Sequence, residues 1–346
     1  MFRRALWLAS LLACATLAQA QNSRHFTFRY EFSVKSPDPG KPLRIWFPMA
    51  HSDEWQDVRV VSATGDLPLT KAREQKYGNW VYFASTNKAD KPEYRFSVVY
   101  DVVRRERIGL TDAERAASEE KSSPGSTSGA MLREASLRDP KLAPYLNADK
   151  LVPTTGLPAE IAAKQVEGRS GDLQKTRALY DYVLATMRYD KTGTGWGRGD
   201  TLWACDSKRG NCTDFHSLFM SMARSQGIPA RFEMGFSIPV GKTEGEITGY
   251  HCWSDFYLAG KGWIPVDISE AWKNKDKAEY FFGAHDDNRV AFSMGRDLVL
   301  NPPQAGDPRN YFVYPYVEDD AKQYENVSTH FSFVEVGQSG AKASGR

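Results

Sequence analysis

The chain has 346 residues and a formal net charge of +2 at pH 7. That length allows one large domain or two ordinary ones, and 41% hydrophobic and 12% aromatic residues allow a sizeable core. Near-balanced charge without a basic stripe argues against a nucleic-acid partner, and no later segment is apolar for long enough to form a transmembrane span.

The N-terminus departs from this average. Met1-Phe2-Arg3-Arg4 is a basic start, Ala5 to Leu17 is apolar but too short to cross a bilayer core, and Ala18-Gln19-Ala20 fits a small-x-small cleavage site. The pattern predicts a signal peptide over residues 1–20 and a periplasmic or secreted product. Leu11-Leu12-Ala13-Cys14 resembles a lipoprotein cleavage site, so lipid anchoring through Cys14 is the alternative. The mature chain would keep Cys205, Cys212 and Cys252 in an oxidising space, an odd number that leaves one thiol free if two pair.

From His25 to about Glu106 the pattern has period two. Phe26, Phe28, Tyr30 and Phe32 share one face of "HFTFRYEFSV", and "LRIWFPM", "DVRVVSA", "NWVYFAS" and "YRFSVVYDVV" follow between turns. Short alternating strands at this spacing predict an all-β sandwich over residues 21–106. Residues 107–155 turn charged and then Ser/Gly-rich, and read as a linker. A second domain is expected over 156–336, with a disordered tail over 337–346. It opens with helical patterns in "LPAEIAAKQVEG" and "GDLQKTRALYDYVLATMRYD". The Gly-rich "KTGTGWGRGDTLWACDSKRG" lacks the Gly-Lys-Ser/Thr ending of a phosphate loop.

The chemistry gathers after that loop. In "GNCTDFHSLFMSMARSQGIPAR", Asn211 is the expected N-cap, with Asp214 three residues on as a near capping box. Cys212 is then the first helical residue, where the helix dipole favours a thiolate. Phe215, Leu218, Phe219, Met222 and Ala223 form an apolar stripe on its face, and Gly227 ends the helix. His216 lies one turn along and reads as a bystander. His251 sits in the strand "TGYHCWSDFYL" with Cys252 on the opposite face, and Asp267 in "GWIPVDIS", where a lone carboxylate is costly unless paired. An antiparallel pairing of His251 with Asp267 centres the hairpin on Ala259 and requires an odd loop of three or five residues.

These motifs, in this order, resemble the transglutaminase-like superfamily: Gly-x-Cys-x-Asp/Glu opening a helix, Gly-Ile-Pro-Ala-Arg, His-x-Trp, and Gly-Trp-x-x-x-Asp. The match covers roughly residues 172–269. It implies an α+β, papain-like fold in which the Cys helix packs on an antiparallel sheet after the β-sandwich. It implies Cys212 as nucleophile, His251 as base and Asp267 as orienting acid. An exported thiol acyl-transfer enzyme follows, a cysteine protease, amidase or transamidase acting on a protein or peptide substrate, cell-wall peptides among them. The family often adds an upstream side chain to the oxyanion site, a role open to Trp203 or Trp196. Cys205 and Cys252 are expected to pair as a disulfide, leaving Cys212 free. No cofactor is expected. No calcium-binding acidic loop is evident, and Cys-x6-Cys with Cys-x3-His fits a zinc site through Cys205, Cys212, His216 and Cys252 poorly. The rival reading is a binding or scaffold module that keeps the fold without turnover.

Overall fold

The computed structural model describes residues 22–120, 131, 133–135 and 138–337. The expected signal peptide with Cys14, the Ser/Gly-rich stretch and the tail from 338 lie outside the described residues. The N-terminal part forms strands β1 (Ser23–Lys35), β2 (Leu43–Pro48), β3 (Gln56–Gly65), β4 (Thr70–Arg73), β5 (Trp80–Thr86) and β6 (Glu93–Arg105). The alternation along β1 buries Phe26, Phe28, Tyr30 and Phe32, as its period of two requires.

The stretch read as a linker is packed wherever it is described. Arg107 and Ile108 pair with His285 and Ala284. Helix α1 (Asp112–Glu119) starts from a capping box of Thr111 and Glu114. Arg133 is ion-paired with Asp172, and Leu142 and Val152 are core residues. Helices α2 (Leu157–Gln165), α3 (Asp172–Thr186) and α4 (Thr201–Ser207) follow, then α5 (Cys212–Ser225). Sequence alone missed α4, because the Gly-rich run before it masks its start; Asp200 caps it by accepting the Leu202 and Trp203 amides.

Helix α5 is not amphipathic in its setting. Every residue from Cys212 to Arg224 is buried, including Asp214, His216, Ser217, Ser221 and Arg224. One side packs on β7 (Ala230–Ser237) and the other on α2, α3 and α4. Its polar residues are satisfied internally: Arg224 pairs with Asp149 at 2.7 Å and donates to the Ala230 carbonyl, and Ser221 donates to the Pro153 carbonyl. Gly227 takes φ +71° just beyond the helix, as a left-handed terminator needs.

The short β8 (Glu244–Glu246) precedes β9 (His251–Leu258) and β10 (Gly262–Val266). The hairpin between them has the expected odd loop, Ala259 to Lys261, but its axis passes through Gly260, with Leu258 opposite Gly262 and Ser254 opposite Val266. Asp267 therefore lies beyond the ladder and becomes the N-cap of α6 (Ile268–Lys273). Helix α7 (Ala278–Phe281) and β11 (Arg289–Met294) follow, and β10-β9-β7-β11 form the antiparallel sheet under α5.

The chain then returns to the sandwich. Strands β12 (Tyr316–Asp319) and β13 (Lys322–Tyr324) extend the sheet β13-β12-β2-β5-β4, while β14 (Val327–Glu335) completes β8-β14-β1-β6-β3. Residues 316–335, read from sequence as part of the second domain, thus pair into the two sheets that residues 23–105 build. Sequence spacing carries no signal for a strand that pairs with a partner some 300 residues earlier. The α+β class and the antiparallel sheet beneath the Cys helix are as expected.

One aromatic core joins the two units. Phe32 of β1 packs on Phe47 and Phe96, whereas Phe28 and Tyr30 meet Phe236 and Phe292 of the second sheet. Phe331 of β14 sits 4.7 Å from Tyr30 and 4.6 Å from Phe236, ring centre to ring centre. Truncating it opens a void between both units, so Phe331→Ala is expected to lower stability by about 3–5 kcal/mol, measured by urea unfolding. A loss under about 1 kcal/mol would mean that the C-terminal strand is only an edge.

Candidate active site

The Cys212 helix begins where four backbone constraints meet. Asn211 caps it by accepting the Thr213 amide at 2.9 Å, and the Asp214 carboxylate reaches back to the Asn211 amide at 3.0 Å. The same carboxylate accepts the amides of Gly197 (2.7 Å) and Gly199 (3.0 Å). The Gly-rich run is therefore wrapped around an internal carboxylate. Gly210 has φ +147°, and a Cβ there would lie 2.2 Å from Asp214, so the turn into the helix requires glycine. Burial raises the Asp214 pKa to about 6 against the pull of the Gly197, Asn211 and Gly199 amides.

Cys212, 1% exposed, stands at the positive end of this helix with the Cys252 thiol and the His251 ring beside it. His251 Nε2 is 2.7 Å from Asp267 Oδ2, which leaves Nδ1 for the sulfur. Burial opposes charge on Cys212, but the neighbouring Cys252 thiol and the His251 ring hold its pKa well below the ordinary thiol range. Burial also disfavours an imidazolium, yet Asp267 outweighs it and raises His251 to about 10. The two shifts, down at the thiol and up at the ring, both favour a thiolate–imidazolium pair.

Asp267 is wholly buried and fully used. Its Oδ1 accepts Ser269 Oγ and the Glu270 amide, both at 3.1 Å, and its Oδ2 accepts His251 and, at 3.0 Å, Arg289 Nη1. Burial pushes its pKa up, but the His251 and Arg289 cations hold it well below the usual carboxylate range. Arg289 lies over the Trp253 ring at 4.9 Å and also pairs with Asp286. Sequence reasoning passed over Arg289; its only signal is a basic residue at the head of the apolar "RVAFSM".

His216 is more than a bystander. Its Nε2 accepts the Ile268 amide at 3.1 Å, the first amide after Asp267. Its Nδ1–H faces the Cys212 carbonyl one turn back. Burial lowers its pKa, and the accepting Nε2 keeps it neutral. It ties the acid's loop to the thiol's helix.

The expected Cys205–Cys252 disulfide is corrected: Cys205, Cys212 and Cys252 are free thiols. Cys252 is buried against α5, 3.7 Å from Thr213 Oγ1 and 3.8 Å from His216 Nδ1, while Cys205 is half-buried on α4 near Tyr182. Nor does strand alternation keep Cys252 out of the His251 pocket, because α5 starts against the first residues of β9. Burial and the charge on Cys212 raise the Cys252 pKa, so it remains a thiol beside the ion pair.

Trp196 spends its N–H on the Gly193 carbonyl at 3.1 Å, and Trp203 packs on Gly195 under Arg209. Tyr189 shares the cleft with Tyr250 and is paired beside the turn into α5 through the parallel match of Arg188–Tyr189 with Arg209–Gly210. Its ring lies 6.2 Å from Phe215, and burial with the neighbouring Cys212 charge raises its hydroxyl pKa. The cleft, about 340 Å³, is lined by Tyr189, Tyr250, His251, Lys273, Asp286 and Arg289 among others. A larger cavity, about 540 Å³, lies on the sandwich among Glu31, Arg95 and His330 and contains none of these groups.

Residues 159–268 match the transglutaminase-like superfamily. An uncharacterized protein of Haemophilus influenzae is 27% identical over 364 aligned positions, covering 91% of this chain and 94% of its own. The crystal structure of a proposed cysteine protease from Cytophaga hutchinsonii superposes with a TM-score of 0.56 at 14% identity, over 90% of this chain and 98% of that one. The second likeness is one of fold.

Removing the Asp267 carboxylate strands Arg289 and the His251 ring in a dry interior and removes the α6 cap. Asp267→Ala is expected to cost about 3–5 kcal/mol in urea unfolding at pH 7. Retention of full stability would show that water or Asp286 takes over its role.

Proposed function

Residues 159–268 belong to the transglutaminase-like superfamily, and on that footing we propose that the protein is a thiol acyl-transfer enzyme acting on a carboxamide or peptide bond of a protein or peptide. The observation that supports this most directly is the 2.7 Å His251–Asp267 contact beside a thiol held well below its ordinary pKa. In this reading the Cys212 thiolate attacks the carbonyl carbon. The His251 Nδ1–H protonates the departing amine as its bond to carbon breaks, and a thioester on Cys212 remains. His251, now neutral, takes a proton from water or from a primary amine, which displaces the sulfur. Water makes the protein a protease or amidase, an amine makes it a cross-linker. Asp267 keeps His251 oriented and cationic at rest.

The oxyanion would form beside the Cys212 amide at the start of α5, with the Tyr189 hydroxyl as the second donor in place of the indoles. The N-terminal pattern of basic start, apolar run and Ala-Gln-Ala supports export, and peptides of the cell wall are one class such a product would meet. The 1% exposure of Cys212 favours a second reading, a binding module with a sealed thiol.

Alkylation separates the two. Iodoacetamide is expected to label Cys212 at pH 6 within a few-fold of its rate at pH 8, whereas an unperturbed thiol of pKa about 8.5 would slow by close to two orders of magnitude. The rate in His251→Ala should fall at least ten-fold at pH 6. Mass mapping that finds Cys212 unlabelled at both pH values supports the sealed module. Acyl transfer itself should decline above about pH 10, as His251 loses its proton. Tyr189→Phe is expected to lower kcat by about 10²-fold with little change in KM. An unchanged kcat removes Tyr189 from the oxyanion site.

A further inference from the structure

A second cavity, about 300 Å³, opens behind the wall of the catalytic cleft. That wall is Tyr250, the residue before His251. Its hydroxyl is 2.9 Å from both Asn211 Nδ2 and Thr213 Oγ1 at the start of α5. Its ring packs on Tyr311 at 5.6 Å and Tyr314 at 5.8 Å, and both tyrosines line the second cavity. Tyr250 thus lines the cleft that holds His251 and packs on two rings that line this cavity.

Arg198, Arg309, Tyr311, Tyr314 and Tyr316 are among the residues that line it, and no Asp or Glu is. Buried arginines in the molecule are answered either by acids, as Arg177 is by Glu279 and Arg289 by Asp267 and Asp286, or by neutral groups, as Arg296 is by Asn310. Arg309 is of the second kind. Among the described residues its guanidinium makes no ion pair; it donates to Gln323 at 3.2 Å and lies over the Tyr316 ring at 4.2 Å. The nearby Glu318 is committed to Arg44 and to the Tyr316 hydroxyl, both at 3.0 Å, and Glu325 shares an adjoining cavity with Arg309, Tyr314 and Tyr316. Burial works against the charge on Arg309, and the neighbouring Tyr316, Tyr311 and Glu318 offset part of that. Arg198 is exposed, and its backbone carbonyl accepts Arg296 and Asn310. Tyr314 accepts the Tyr250 amide at 3.2 Å, which leaves its own hydroxyl proton to donate.

Two guanidinium groups and a free phenol proton around one acid-free cavity form a donor set that matches a planar carboxylate. We infer that this cavity receives a carboxylate of the acyl-donor chain, so that the enzyme selects acidic peptides. The inference rests on the acyl-transfer reading for the identity of the chain as substrate. The ligand chemistry itself rests on the cavity alone.

The test measures binding without turnover. The full chain carrying Cys212→Ala is titrated with fluorescein-labelled, end-blocked Ala-Glu-Ala-Glu-Ala-Glu and with its counterpart in which each Glu is Gln, followed by anisotropy. The Glu peptide is expected to bind about ten-fold tighter or more at 0.15 M salt. Arg309→Gln should remove most of that ratio. Arg198→Gln, a surface change that leaves packing intact, should reduce it a few-fold. Equal affinity for the two peptides, or a ratio that survives in the Arg198→Gln/Arg309→Gln double variant, overturns the inference. Because the thiol is absent from this assay, a selective cavity beside an unreactive Cys212 would sink only the acyl-transfer reading. A reactive Cys212 beside an unselective cavity would sink only this one.

Discussion

The geometry of the site depends on one buried carboxylate. Asp267 has no access to water, and an isolated carboxylate in that setting would protonate or unfold its surroundings. It persists as an anion because four donors converge on it from three directions: the first turn of its own helix, Arg289 from β11 and His251 from β9. Each donor is thereby fixed as well. The His251 ring cannot rotate without losing a 2.7 Å charge-assisted contact, and Arg289 cannot leave without stranding both Asp267 and Asp286. The constraint then passes to the thiol. The anion keeps His251 cationic, and the cation stabilises the Cys212 thiolate in a place where burial alone would forbid it.

The sandwich takes part in this arrangement as a clamp. Gln56 of β3 exchanges two hydrogen bonds with the backbone of Ala291 on β11, in the manner of a neighbouring strand. Arg107 joins Asp255 on β9 to the Trp263 carbonyl on β10. Arg24 on β1 holds the carbonyls of Ile238, Pro239 and Lys242 together with Asn288, in the loop that walls the cleft. Each contact draws on a buried or half-buried polar group that must be satisfied, so the first unit cannot detach without exposing unpaired donors beside the site. Two units in sequence thus act as one support.

The amount legible in the sequence follows the range of each interaction. The Asn211 cap, Asp214 reaching back, the start of α5 at Cys212 and its end before Gly227 all depend on residues within a few positions, and local pattern was enough. The odd hairpin loop was legible too, since a period of two leaves only parity to choose. Its axis fell on Gly260 instead of Ala259, because Asp267 did not need to stay in the strand to reach His251. Arg289, the roles of His216 and Tyr189, and the return of β12 to β14 to the sandwich were not legible. Each is set by a partner far along the chain. The three cysteines misled for the same reason: arithmetic and compartment favoured a pair, but α5 placed Cys252 against Thr213 and His216, away from Cys205.

His216 and Cys252 show how the Cys212–His251 pair is insulated. Both lie within the same dry volume as the Cys212–His251 pair, and either could have drawn off its proton. His216 is prevented because its Nε2 already accepts the Ile268 amide, so a second proton would set two donors against each other. Cys252 is prevented because burial and the adjacent thiolate, which its S–H faces, both oppose its ionisation. The charge separation is therefore confined to one sulfur and one ring, although two sulfurs and two rings are present. That selection comes from hydrogen-bond capacity already used up, which is why residue type alone could not distinguish His251 from His216.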